Sequence, residues 1–330
     1  MARRTASHAG SWYSASASTL SSQLDGWLDE VPDSIDGEGK LPPSGARVII
    51  APHAGYSYSG SAAAWAYKSL DLSKAKRIFL LGPSHHIYLS GCALSNCGSY
   101  ETPFGDLKID RKTIAELHTS KKFDTMSLQT DEDEHSLEMH LPYIYKALSR
   151  THSNDPTSFP LLIPILVGAT TAALERTYGA ILLPYLRDPT SVFIVSSDFC
   201  HWGLRFSYTY YLPASPSSSI PRHLRSKDAP PPSPPIHESI ARLDRMTIDA
   251  IESGRHESFL DVLKETGNTV CGRHPIGVVM AGLEKWEAEE RGEGEGGKKR
   301  KFRFVRYERS SDVIRVNESS VSYASAFAQL

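Results

Sequence analysis

Three stretches of this chain run apolar without alternation, and each leads into a short segment that carries histidine. Val48-Ile49-Ile50-Ala51 meets Pro52-His53, and Ile78-Phe79-Leu80-Leu81-Gly82 meets Pro83-Ser84-His85-His86. Val192-Phe193-Ile194-Val195 meets Ser196-Ser197-Asp198-Phe199-Cys200-His201. Unbroken apolar runs of this length suit strands buried on both faces of an α/β sheet. Proline ends such a run because it has no N–H to give the ladder. Open α/β sheets hold their ligands at strand ends. The pattern therefore predicts one sheet edge that carries His, His and an Asp/His pair.

The intervening residues read mostly as helices. Leu20, Leu24, Trp27, Leu28 and Val31 share one face, with Ser16 or Ser18 as the cap. A small-residue helix is predicted from about Gly60 to Leu70, and Cys92-Ala93-Leu94 continues the sheet. The acidic run Thr130-Asp131-Glu132-Asp133-Glu134-His135 precedes Leu137, Leu141, Ile144 and Leu148, and reads as the first turn of one helix. Thr130 and Asp133 have the spacing of a capping box, and Pro142 marks a kink or the true start. Leu161–Val167 is a further strand, and Thr171–Arg187 a helix. Helices follow at Ile236–Ser253, at His256–Thr266 with Gly267 as its C-terminal cap, and from Ile276 to about Glu290. Phe302–Arg309 and Val321–Ala328 alternate as terminal strands. The Pro/Ser-rich stretch 213–235 and the Gly/Lys-rich stretch 292–301 are expected to be disordered insertions. The expectation is a single α/β domain over residues 1–330.

Composition narrows the function classes. A net charge of −2 gives no bulk attraction to nucleic acid or to an anionic membrane. No apolar run approaches a membrane span, and the basic start Met1–Thr5 lacks the apolar core of a secretory signal. The four cysteines have no C-x-x-C spacing, so a reducing, cytoplasmic setting is expected. Lys298-Lys299-Arg300-Lys301 resembles a nuclear-import patch, although a solvated basic loop is the commoner meaning.

Common catalytic signatures are absent. The chain has no G-x-G-x-x-G after a strand, no phosphate-binding P-loop, no G-x-S-x-G elbow and no H-E-x-x-H. His135 and His140, five apart on one helix, would stand about 140° from each other and could not chelate from one face. Cys200 and His201 are neighbours that point opposite ways on an extended chain. What remains is the strand-end set of His53, His85, His86, Asp198 and His201, with Cys271 and His274. Each residue alone is more often structural. Together they offer imidazole nitrogens that suit Fe, Cu or Zn, and a soft thiolate. Two histidines and one anionic group with open positions is the form of a facial triad.

The motifs themselves resemble a known family. Ala51-Pro52-His53-Ala54-Gly55-Tyr56, Gly82-Pro83-Ser84-His85-His86, Asp131-Glu132-Asp133-Glu134-His135-Ser136, Ser196–Trp202 and Cys271-Gly272-Arg273-His274-Pro275 are similar to the Memo family of mediators of receptor-driven cell motility. The likeness includes Ser7–Tyr13 and the closing Asp312…Ser319–Ala324. It implies a mixed central sheet flanked by helices, related to class III extradiol non-haem iron dioxygenases. It also implies the metal ligands His53, His85 and Cys271, with Asp198 and His201 lining the pocket. Cys271 stands where the dioxygenases present a carboxylate, so the site leans toward copper or zinc while iron stays open. Ring cleavage does not transfer on fold alone.

The resulting expectation is an intracellular protein that binds iron or copper (zinc remaining open) and has metal-dependent redox activity. His201 would carry a proton or orient substrate, since imidazole titrates near neutrality. Asp198 would orient an imidazole or a bound water, and His86 would be a supporting or structural residue. The rival expectation is a non-catalytic signalling scaffold that holds phosphotyrosine-containing peptides in the same pocket, with Arg273 and His274 against the phosphate. A hydrolytic zinc site is the third option.

Overall fold

The apolar runs become adjacent strands of one sheet in the computed structural model, which describes residues 2–152, 155–214, 220–231, 233–290 and 300–330. Nine strands build that sheet among the described residues: β1 (Ala46–Ala51), β2 (Arg77–Pro83), β3 (Cys92–Leu94), β4 (Phe123–Thr125), β5 (Leu161–Val167), β6 (Ser191–Ser196), β7 (His201–Gly203), β8 (Phe302–Arg309) and β9 (Ser319–Gln329). Their spatial order is β7-β9-β1-β6-β2-β5-β3-β4, with β8 on the other side of β9. The central four, β1, β6, β2 and β5, run parallel, whereas β9 and β3 join them antiparallel. The sheet is therefore mixed, as the resemblance implied. Every residue of β1 and β6 is buried, which is why those strands show no alternation.

Register decides where the site can form. Ser196 lies opposite Ala51, and Val195 opposite Leu81. The three loops that follow thus leave the sheet side by side. Helices cover both faces. They are α1 (Ala17–Glu30), α2 (Tyr56–Ser69), α3 (Arg111–His118), α4 (Leu128–Asp133), α5 (His135–Glu138), α6 (Leu141–Thr151), α7 (Ala172–Arg187), α8 (Ile236–Glu252), α9 (His256–Thr266) and α10 (Arg273–Glu290). Ser16 caps α1, and Gly267 ends α9 with φ +63, in the left-handed region a glycine adopts at least cost. None of these helices is long and apolar enough to cross a membrane.

Residues 127–151 depart from the expectation. The single acid-led helix is three pieces: Ser127 caps α4, Glu134 caps α5, and α6 begins beside Pro142. Thr130 is thus not a cap, since its own N–H is taken by Ser127 Oγ at 3.0 Å. Pro142 lies in the first turn of α6, where its missing N–H costs nothing. His135 and His140 consequently lie on different elements.

The expected insertions fall partly on residues 215–219, 232 and 291–299, which lie outside the described residues. So do Lys298 and Lys299 of the basic patch. Of the described part, Arg222-His223 pairs with Tyr210-Tyr211, and Leu224 is buried beneath them.

Close packing of α7 on α10 rests on a glycine. A Cβ at Gly179 would lie 2.6 Å from the backbone nitrogen of Gly282 and 2.8 Å from the carbonyl oxygen of Val278. Backbone cannot yield as a side-chain tip can. Gly179→Ala should therefore lower stability by about 1–3 kcal/mol. A reduced denaturant midpoint with an unchanged slope would show it, and an unshifted midpoint would contradict it.

Candidate metal centre

Three strand ends and one helix start converge here. Just past β1, His53 is buried and held from two sides. Its backbone N–H donates to Asp198 Oδ1 at 2.9 Å, and its Nδ1 lies 2.6 Å from Ser196 Oγ. The Ser196 hydroxyl gives its own hydrogen to the carbonyl of Ser136 at 2.7 Å. Its oxygen must therefore accept from His53 Nδ1–H, which leaves the lone pair on Nε2. That Nε2 is 3.1 Å from the sulfur of Cys271.

His85, beyond β2, is set in the same way. Its Nδ1 lies 2.8 Å from Glu134 Oε1, and its backbone N–H donates to Oε2 at 2.7 Å. An ionised carboxylate can only accept, so Nδ1 carries a proton, and in the neutral ring Nε2 is the bare nitrogen. Burial raises the Glu134 carboxyl, but the hydrogen bonds and charge of His85 outweigh it and bring it down to about 2.

Cys271 sits in the turn before α10, half-buried, with Asp198 N–H donating to its sulfur at 3.1 Å. Gly272 allows this approach, because a Cβ there would stand 2.3 Å from the carbonyl oxygen of Ser196. Burial, with the nearby Asp198 carboxylate, pushes the Cys271 thiol well up. Burial, then the imidazoles of His85 and His135, pushes His53 well down. Without a cation the pocket thus prefers a neutral thiol beside a neutral imidazole. A bound cation reverses that preference.

His135 is a member that sequence spacing did not suggest. Its ring is sandwiched between those of His85, at a centroid distance of 4.3 Å, and Trp12, at 4.6 Å. Burial and the neighbouring His85 push it down to about 3. Ligand atoms of His53, His85 and His135 lie within 4.8 Å of one another, as do those of His53, Asp198 and Cys271. The two groups share His53 and do not merge, so His85 and Cys271 flank it. The donor set of imidazoles, thiol and carboxylate suits a borderline or soft metal ion.

Similarity to known proteins extends over nearly the whole chain. The sequence profile of Memo-like proteins matches residues 4–327. The chain is 47% identical over 321 residues to Protein MEMO1 of Xenopus laevis, covering 97% of this chain and 95% of that one. It is 46% identical to Protein MEMO1 of Homo sapiens, again over 97% and 95%. Identity to the Protein memo-1 homolog of Caenorhabditis elegans is 40%, over 98% of this chain and 81% of that one. The chain belongs to the Memo family.

In this Memo family chain the other expected residues are distributed unevenly. Asp198 is buried beside His53 and Cys271; burial raises its carboxyl, against the pull of His201 and of the His53 and Ala54 N–H groups. His201 lies with Nδ1 2.9 Å from the Phe199 carbonyl and 3.2 Å from that of Thr269. Two carbonyls fix the proton on Nδ1 and leave Nε2 as the ring's acceptor. His86 is exposed and groups with Glu134 and His135. His274 faces elsewhere, with Nδ1 2.8 Å from Glu175 Oε1, while Arg273 is exposed at the start of α10. Sequence reading missed His135, Glu134, Ser196 and Trp12 as parts of the centre. The Asp131–Ser136 motif held two of them, but its acid density read as a helix start.

Proposed function

We propose that this pocket binds a transition-metal ion through His53, His85 and Cys271, and that the chain serves intracellular metal handling or redox chemistry. One observation carries the reading. Both histidines have Nδ1 tied to an acceptor, which leaves Nε2 bare, and in His53 that nitrogen already faces the Cys271 sulfur. Metal-binding imidazoles are oriented in this way. An ion held by all three would draw His85 and Cys271 together around His53. Iron or copper is favoured over a hydrolytic zinc ion as the family resemblance implies, and such an ion would supply one-electron exchange. Asp198 anchors the His53 backbone, and His201 would take or give a proton through Nε2. All four cysteines are free, which suits the expected reducing cytoplasm.

The thiol sets the pH dependence. Since burial holds Cys271 protonated, metal uptake should release about one proton, and affinity should rise with pH, by up to about tenfold per unit below the thiol's pKa. Calorimetry of metal-free protein in buffers of different ionisation enthalpy measures that proton. Cys271→Ser should weaken uptake of Cu(I) or Fe(II) by about 100-fold or more. Unchanged occupancy in that variant would refute the assignment. If a phosphotyrosine peptide binds tightly and survives chelation, the scaffold reading replaces it.

A further inference from the structure

A buried carboxylate stands next to this pocket without a permanent countercharge. The Glu134 side chain is 1% exposed, and its ion-pair partners are His85 and His135. Among the described residues no lysine or arginine reaches its oxygens within the 4.0 Å of an ion pair. A buried anion supported by imidazoles alone is costly. Oε1 accepts from His85 Nδ1 and from the Ser136 N–H, whereas Oε2 accepts from the His85 N–H. A carboxylate oxygen has two lone pairs, so Oε2 keeps one for a further partner.

Two imidazoles converge on that carboxylate from outside the inner set. His135 Nδ1 lies 3.6 Å from Glu134 Oε1, and its ring is clamped between His85 and Trp12. His86 approaches edge-on, with its centroid 5.8 Å from that of His135 and the planes at 87°. It is exposed, and no hydrogen bond within the described residues engages its ring nitrogens. Ligand atoms of His86, Glu134 and His135 all lie within 4.8 Å of one another. Two ligands on one zinc-sized ion are at most about 4.2 Å apart, so a small swing of the exposed His86 closes the set.

We infer that His86, Glu134 and His135 form a second, outer metal site for a borderline divalent cation such as Zn2+ or Cu2+. It shares no ligand with the proposed inner set of His53, His85 and Cys271, and does not need that set to be correct. Glu134 links the two, because it also holds His85. An ion outside withdraws charge from the carboxylate and makes His85 a poorer donor, so each site weakens the other by the same factor.

The test is Zn2+ titration of the metal-free full chain, with bound ions counted after equilibrium dialysis. Wild type should take up a second ion beyond the first. His86→Ala, a change on an exposed loop, should lose one ion and keep the tighter one. Cys271→Ser should lose the tighter ion and keep the outer one. His223→Ala, which removes another exposed histidine, should keep both. An undiminished count in His86→Ala, or a loss in His223→Ala, overturns the outer site. Failure of the inner reading looks different: Cys271→Ser keeps the full count while His86→Ala still loses one.

Discussion

Metal-free His53→Ala chain is expected to take up iron or copper about 100- to 1000-fold more weakly than wild type. Structural metal sites gain about 10–16 kcal/mol, so with four ligands each accounts for roughly 2.5–4 kcal/mol, and 1.4 kcal/mol is a factor of ten. His53 is chosen because both ligand groups of the inner pocket pass through it. His53→Gln keeps most of the volume and guards against a loss caused by packing. Glu134→Gln should be milder, about 10–100-fold, because it disturbs the orientation of His85 and leaves the imidazole in place. Competition against a chelator of known affinity ranks all three. Equal affinity in wild type and His53→Ala would remove this residue from the centre.

The second large effect concerns Arg4, which is fully buried against the segment that carries Glu134 and His135. Its guanidinium lies 2.7 Å from Glu138 Oε2 and 3.3 Å from Asp131 Oδ1, and donates to the carbonyls of Asp131 at 2.9 Å and Glu134 at 3.1 Å. Arg4→Met keeps the length but leaves two carboxylates buried without their cation. Breaking such a pair should cost about 3–5 kcal/mol. Burial raises the Glu138 carboxyl, but His8 and then Arg4 outweigh it and hold it at about 2, against an ordinary 4.5. A depressed carboxylate stabilises the fold above its unfolded pKa and loses that contribution as pH falls through the folded value. The gap between Arg4→Met and wild type should therefore be full at pH 7 and narrow from about pH 4.5 toward about 2. Denaturant midpoints across that range decide it. A gap that stays constant would mean that Arg4 acts through packing alone.

Both predictions turn on contacts that differ in how far they can be read along the chain. His53 announced itself through its own neighbourhood, as Val48–Ala51 is continuous, apolar and stopped by Pro52. Ser16, Gly267 and the bounds of Leu161–Val167 were legible for the same reason, because caps and ladder ends are set by residues within a few positions. Arg4 was not. Its sequence neighbours mark only a basic start, and its partners are 127 and 130 residues away. His135 was hidden by a local signal that misled: acids ahead of spaced leucines imitate one long helix, whereas capping by Ser127 and Glu134 breaks the segment into turns.

The amino-acid sequence by itself determined which strands are buried, where each ends, and that His53, His85 and Asp198 stand at those ends, since hydrophobic period and proline act over a few residues. Tertiary structure alone decided that Ser196 and Glu134 orient the imidazoles, that His135 is stacked between His85 and Trp12, and that Arg4 anchors the segment carrying them. Those arrangements depend on strand order and register, and distances between residues so far apart in the chain exist only once the sheet has closed.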